Sequence, residues 1–254
     1  MLKTRVIPTL LWKRPGLVKG IGFDSWRRVG TVLPAIKVYN MRDVDELILV
    51  DINAYSEGIE PDYEEIAEFT QESFVPMTVG GGVTEVDHFK KLLRVGADKV
   101  ALNSVIYDKP QLISEAANRF GKQCVVASVD YTKNSSGIYQ CCSHSGSKLK
   151  DHHPVEWAKE LEALGAGEIL LTSVDKDGTM EGYDYDLTKQ VTEAVSIPVI
   201  ASGGAGSYEH MAKVVNDSGA AAVAAASIFH FTEQTPLKAK EHMAQQGIPV
   251  RLLK

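Results

Sequence analysis

The chain has 254 residues, with 27 Lys and Arg against 33 Asp and Glu, a net charge of −6. This length suits one α/β barrel domain spanning residues 1–254, with a core large enough to need no staples. The interspersed, slightly acidic charge argues against nucleic-acid and anionic-membrane partners, and no apolar run approaches the roughly 20 residues of a spanning helix. Three cysteines are too few for a disulfide framework, which points to a reduced, cytoplasmic setting.

The opening MLKTRVIPTLLWKRPG has a short apolar core followed at once by Lys13 and Arg14, with no small-residue cleavage site. It reads as a first strand, Val6–Leu11, and not as a signal peptide. Leu17–Val32 follows as a long loop with Gly, Lys19, Arg27 and Arg28. Further strands are predicted at Glu46–Asp51, Pro76–Gly80, Lys99–Asn103, Cys124–Asp130, Glu168–Ser173, Pro198–Ser202 and Ala221–Ala226. Most are near-continuous apolar runs, as strands covered on both faces should be. Between them, amphipathic stretches predict helices at Asp62–Ser73, Glu85–Val95, Pro110–Phe120, Pro154–Leu164, Asp184–Val195, Tyr208–Asn216 and Leu237–Gln246. Tyr131–His153 is polar and turn-rich and fits a β-hairpin.

The two halves repeat. Residues 45–104 and 167–227 each run strand, polar loop, helix, strand after Pro, Gly pair, helix, and strand ending in Ser. Pro76 matches Pro198, Gly81–Gly82 matches Gly203–Gly204, and Ser104 matches Ser227. Self-similarity of (βα) units predicts a (βα)₈ TIM barrel built of two similar half-barrels. A doubly wound open sheet leaves the equivalence of the halves unexplained.

Candidate chemistry lies at the carboxyl ends of these strands, the face on which barrel sites are built. The Gly81–Gly82 and Gly203–Gly204 clusters let backbone N–H groups approach an anion, with Asn103, Ser104, Ala226 and Ser227 beside them. Their duplication predicts two phosphate sites, hence a ligand with phosphate at both ends. Thr172, Asp177 and Gly178 extend this polar rim, and Lys19 sits in a loop that can reach an anionic substrate. Asp130, closing the strand Val125-Val-Ala-Ser-Val-Asp130, occupies the place of a general acid or base. Its partner position in the first half is Leu11, where a two-carboxylate mechanism wants an acid. At the strand starts, Arg5, Glu46, Lys99 and Glu168 predict a ring of two cations and two anions from alternate strands, either a structural plug or a gate. Cys141, Cys142, His144, His152 and His153 share one polar loop but match no zinc spacing, so no metal and no cofactor is expected. Cys124 reads as a core residue.

Taken together, the segments Leu17-Val-Lys-Gly20, Thr78-Val-Gly-Gly-Gly82, Gly96-Ala-Asp-Lys-Val100, Gly165-Ala-Gly-Glu-Ile-Leu-Leu-Thr-Ser173, Asp177-Gly-Thr179, Ala201-Ser-Gly-Gly-Ala-Gly206 and Ser227-Ile-Phe-His-Phe231 resemble the cyclase subunit family of imidazole glycerol phosphate synthase. The resemblance covers nearly the whole chain. It implies a lyase-type barrel with two phosphate sites, Asp130 and Lys19 as catalytic residues, and a class I glutaminase docked at the strand-start end, where Asp98 lies. It also implies that ammonia passes the charged ring to a bisphosphorylated ribonucleotide. Family cyclases carry an aspartate in a strand-one segment resembling CLDVKDGRVVKG; here the segment is Thr9-Leu-Leu-Trp-Lys-Arg-Pro-Gly-Leu-Val-Lys-Gly20, with Leu11 in that place. The segments Arg5-Val-Ile-Pro8, Leu10-Leu11, Gly16-Leu-Val-Lys19 and Val44-Asp-Glu-Leu47 resemble a paralogous branch found with surface-polysaccharide amidotransferases that make acetamidino sugars. The expectation is therefore an ammonia-channelling subunit of that branch, with a further amidotransferase as a candidate partner. The histidine-pathway cyclase is the alternative. A non-catalytic glutaminase scaffold and a single-chain sugar isomerase rank behind both.

Overall fold

The computed structural model describes residues 3–252. Eight parallel strands form the barrel: β1 (Arg5–Lys13), β4 (Leu47–Asp51), β5 (Met77–Gly80), β6 (Lys99–Leu102), β7 (Val125–Lys133), β10 (Glu168–Ser173), β11 (Val199–Ser202) and β12 (Ala222–Ala225). Pairing runs in that order around the sheet and closes through β12 onto β1, giving a (βα)₈ TIM barrel. The principal outer helices are α3 (Tyr63–Glu72), α4 (Val86–Arg94), α6 (Gln111–Phe120), α7 (Pro154–Leu164), α8 (Tyr185–Ala194), α9 (Tyr208–Ser218) and α11 (Pro236–Gln245).

Each strand divides its side chains between two cores, because successive residues point to opposite faces. On β1, Val6, Leu10 and Trp12 pack outward under the helices, while Ile7 points inward. Inside the barrel, Ile7 meets Ile48, Val126, Leu170 and Ile200 in a small apolar plug. Polar groups lie at both ends of that plug, so the strand pattern itself sorts charge to the rims.

The half-barrel repeat extends to single hydrogen bonds. Asp62 caps α3 by accepting from the Glu65 N–H, and Asp184 caps α8 by accepting from the Leu187 N–H, both at 3.1 Å. Thr70 Oγ1 donates to the Val95 carbonyl and Thr192 Oγ1 to the Ser218 carbonyl, both at 2.5 Å. His88 Nδ1 accepts from the Thr84 N–H and His210 Nδ1 from the Gly206 N–H, both at 3.3 Å.

The structure departs from the sequence expectation at both interruptions. Leu17–Val32 is not a loop: β2 (Gly16–Ile21) and β3 (Asp24–Gly30) form an antiparallel hairpin on the end of β1. Helix α1 (Val32–Asn40) follows, burying Val32, Ile36 and Tyr39. The second interruption is a hairpin, as its composition suggested: β7 continues to Lys133 and pairs with β8 (Tyr139–Ser143), which pairs with β9 (Lys148–Leu149). The strands after the Gly clusters also end earlier than expected. Ser104 opens the short helix α5 (Ser104–Asp108) and Ser227 opens α10 (Ser227–Phe231), with α2 (Ala54–Glu57) another such turn. Cys124 closes a 3₁₀ turn and is half-buried, so it is not a residue of the strand core. Among the described residues no helix is long and apolar enough to cross a membrane.

Candidate active site

One cleft opens at the carboxyl ends of the barrel strands. Its lining brings together both Gly clusters, Asn103, Ser104, Asp130, Thr172, Asp177, Gly178, Ala226, Ser227, Lys19 and Leu11. Arg5, Glu46, Lys99, Glu168 and Asp98 lie away from it, at the opposite end.

The two Gly clusters are built alike. Gly81 (φ +100°) presses against the Asp51 carbonyl, and Gly203 (φ +89°) against the carbonyl of Ser173. A side chain at either position would collide with that backbone, and the left-handed conformation excludes most residues as well. The cradles differ in occupancy of their hydroxyls. Ser104 Oγ accepts a hydrogen bond from the His144 N–H at 2.9 Å, whereas Ser227 Oγ is buried without a partner among the described residues. Thr9 Oγ1 and Asn103 Oδ1, on the same cleft wall or floor, are also buried and unpartnered. Buried polar atoms without partners are uncommon, and a cluster of them in a cleft suits a ligand.

Asp130 is buried, and Asn103 Nδ2 donates to its Oδ2 at 2.8 Å. Burial and the charge of Asp177 push its carboxyl up to about 7, against the hydrogen bonds of Asn103 and Thr172. Such a group can exchange protons near neutral pH. Leu11 faces the same cleft from β1, in register with Val50. The other carboxylates of the cleft are engaged. Asp51 accepts from Arg14 Nε at 2.9 Å and from the Asn53 and Ala54 N–H groups at 3.1 Å. Asp177 Oδ2 accepts from Lys19 Nζ at 2.6 Å.

That last bond revises the picture of Lys19. It stands on β2, only 2 % exposed, and also donates to the Gly20 carbonyl at 3.0 Å. Burial raises the Asp177 carboxyl, and Lys19 pulls it back. Gly22 N–H donates to the Asp177 carbonyl at 2.9 Å, so the first hairpin is fastened to the loop after β10. Ser173, next to Thr172 on β10, points outward and takes no part in the cleft lining.

At the strand-start end, Arg5 bridges Glu46 (2.8 Å) and Glu168, while Lys99 reaches Glu46 at 3.0 Å and Glu168 at 2.9 Å. Each carboxylate meets both cations. Burial alone would lower the Arg5 guanidinium, but bonding to Glu168 and the charges of both carboxylates hold it above its ordinary value. The ring does not come from alternate strands: β1 and β4, which supply Arg5 and lead from Glu46, are neighbours. The apolar plug separates this ring from the cleft. Asp98 is exposed on the same end, its Oδ2 accepting from the Met77 N–H at 2.8 Å.

The cysteines and histidines of the second hairpin serve separate ends. Cys141 and Cys142 are buried on β8, and burial raises both thiols. His152 packs against Trp157 with ring centroids 4.5 Å apart and the planes tilted by 57°, and His153 caps α7 by accepting from the Val155 N–H. Of these five residues, His144 lies in the cleft lining. The sequence singled it out only as part of a metal tract.

A closed parallel barrel with two matching glycine turns and the buried Asp130 in one cleft, and a charged ring at the far end, defines a (βα)₈ protein whose site lies at the carboxyl ends of its strands. The chain belongs to the family described as histidine biosynthesis protein, whose profile matches residues 5–235. It is similar to "Imidazole glycerol phosphate synthase subunit HisF" of Chlorobaculum tepidum, 44% identical over 252 residues that cover 99% of this chain and 100% of that protein.

Proposed function

We propose that the chain is a cyclase subunit of an imidazole glycerol phosphate synthase, holding a bisphosphorylated ribonucleotide between its two cradles. The observation that carries this is the single cleft in which both Gly cradles flank Asp130. The full-length likeness to a cyclase subunit supports the same reaction class. Ammonia comes from a glutaminase docked around Asp98, passes the Arg5, Glu46, Lys99 and Glu168 ring, and crosses the apolar plug to the cleft. Nothing larger or more polar is asked of that route.

Leu11 removes one of the two acids the resemblance implies, so Asp130 must carry more of the proton traffic. A carboxyl poised at about 7 is suited to that. Ionised, it takes a proton in one step; protonated, it returns one in the next. Leu11 also favours the second reading, in which the same barrel delivers ammonia for acetamidino-sugar synthesis. That reading rests on Leu11 and the opening segment, whereas the matched relative is by name a cyclase subunit.

The test is turnover of the bisphosphorylated ribonucleotide by the isolated chain with saturating ammonium. Expected is activity in the unaltered chain that Asp130→Asn lowers by roughly 10²-fold or more. No turnover in the unaltered chain, with activity appearing in Leu11→Asp, would transfer the assignment to the second reading.

A further inference from the structure

The two hairpins over the cleft are counterparts in the half-barrel repeat, since each continues the first strand of its half. They cross over. The first-half hairpin is fastened to the second half through Lys19 and Asp177. The second-half hairpin is fastened to the first: the His144 N–H donates to Ser104 Oγ at 2.9 Å, and Ser145 Oγ to the Ile52 carbonyl at 3.0 Å. Above the cleft they meet where Gly146 faces Phe23 and Val174.

The tip of the second hairpin is strained to reach this place. His144 (φ +52°) and Ser145 (φ +53°) both adopt the left-handed conformation, which side chains disfavour and which persists where surrounding contacts impose it. The result sets the half-buried His144 in the cleft lining with Gly81, Gly82 and Ser104. Lys148 Nζ lies 3.2 Å from its Nε2, Ser143 Oγ 2.9 Å from its Nδ1, and the Tyr55 ring is edge-on at 5.1 Å.

We infer that His144, with Lys148 behind it, is a binding residue for the anion seated in the first glycine cradle. This rests on the phosphate-cradle assignment proposed above and adds a cationic contact to it. The groups facing the imidazole are Lys148, Lys150, Asp108 and the Tyr55 ring. Burial, Lys148 and Lys150 hold the ring toward its neutral form, with Asp108 acting weakly against them. A phosphate or sulfate dianion in the cradle reverses that balance and favours the imidazolium. Proton uptake and anion uptake are then linked, each promoting the other.

The experiment follows the His144 imidazole by NMR in the full isotope-labelled chain, titrated from pH 5 to 8 with and without saturating sodium sulfate. Sulfate keeps its charge across that range, so any pH dependence belongs to the protein. His144→Gln serves to assign the signal. Sulfate should shift the Gly81 and Gly82 amides and raise the His144 midpoint by about one pH unit, an interaction of ordinary size for a close opposite charge. His144→Gln should also raise KM for the bisphosphorylated ribonucleotide roughly tenfold with kcat within about twofold, as loss of one charge-assisted hydrogen bond predicts. If the glycine amides move and the His144 midpoint does not, the cradle stands and the role of His144 is overturned. If neither moves, both fall.

Discussion

Asp130 should cost the protein stability, and the cost should appear only where the unfolded chain would ionise it. Burial and Asp177 lift its carboxyl from 3.8 to about 7. A group whose folded value is raised favours the folded state below its unfolded value and loses that advantage as pH rises toward the folded one. The window is therefore about pH 4 to 7, and the full penalty, at 1.36 kcal/mol per pH unit, is about 4 kcal/mol. Asp130→Asn keeps the shape and the hydrogen bonds to Asn103 and Thr172 while removing the ionisation. Urea unfolding of both forms should show the Asp130→Asn variant more stable at each pH, with the gap widening by about 2–3 kcal/mol between pH 5 and pH 8. A gap constant across that range would refute the claim that Asp130 is held near neutrality by its surroundings. The measurement needs no substrate, so it judges the electrostatics of the site independently of its proposed reaction.

Other expectations follow from single contacts. Lys19→Met leaves Asp177 buried without its cation and should destabilise by about 3–5 kcal/mol in chemical denaturation. Because Lys19 is what pulls the Asp177 carboxyl down, the loss should be larger at pH 8 than at pH 5. Lys99→Met leaves Glu46 and Glu168 sharing Arg5 alone. The ring is partly exposed, so the expected loss is about 1–3 kcal/mol, and on the proposed function glutamine-dependent turnover with a glutaminase present should fall more than ammonium-dependent turnover. Gly81→Ala drives a methyl group into the Asp51 carbonyl at a left-handed position, and should cost about 2 kcal/mol or more together with sulfate affinity. An alanine variant that unfolds and binds sulfate like the parent would refute the steric argument.

The barrel was legible because buried parallel strands write themselves as apolar runs, and the repeat placed the Gly pairs at equivalent turns. The hairpin β2–β3 was not. Its second strand is mostly exposed, so no face of it carries an apolar period. Helix α1 opens on Val32, Leu33 and Pro34 and buries only three residues, too few for a clear helical signal. Lys19 and Asp177 are brought together from distant parts of the chain, and nothing local in either segment announces the pair. Ring membership could be read from charges at strand starts, but its order around the barrel depends on closure, which adjacent residues do not encode. His144 is not marked as a cleft residue by the sequence for the same reason: its place there depends on a hairpin tip folding back over the other half.

The backbone of the cleft is nearly symmetric while its side chains are not, and the difference bears on how a ligand is oriented. The cradles around Gly81 and Gly203 have the same construction, so on their own they would accept a molecule with two phosphates in either direction. Asp130, Asn103 and Thr172 make one wall polar; the equivalent positions Leu11, Ala226 and Val50 make the other apolar. The ring shows the same division: Glu46 and Glu168 are equivalents, but Arg5 and Lys99 stand where the second half has Cys124 and Ala222. On the proposed reading, a substrate reversed in the cleft would put its reacting atoms against Leu11, which cannot exchange protons, instead of Asp130. On that reading duplication supplies two anchors, and the unequal side chains, with His144 in the lining beside one and Lys19 beside the other, would select a single productive direction between them.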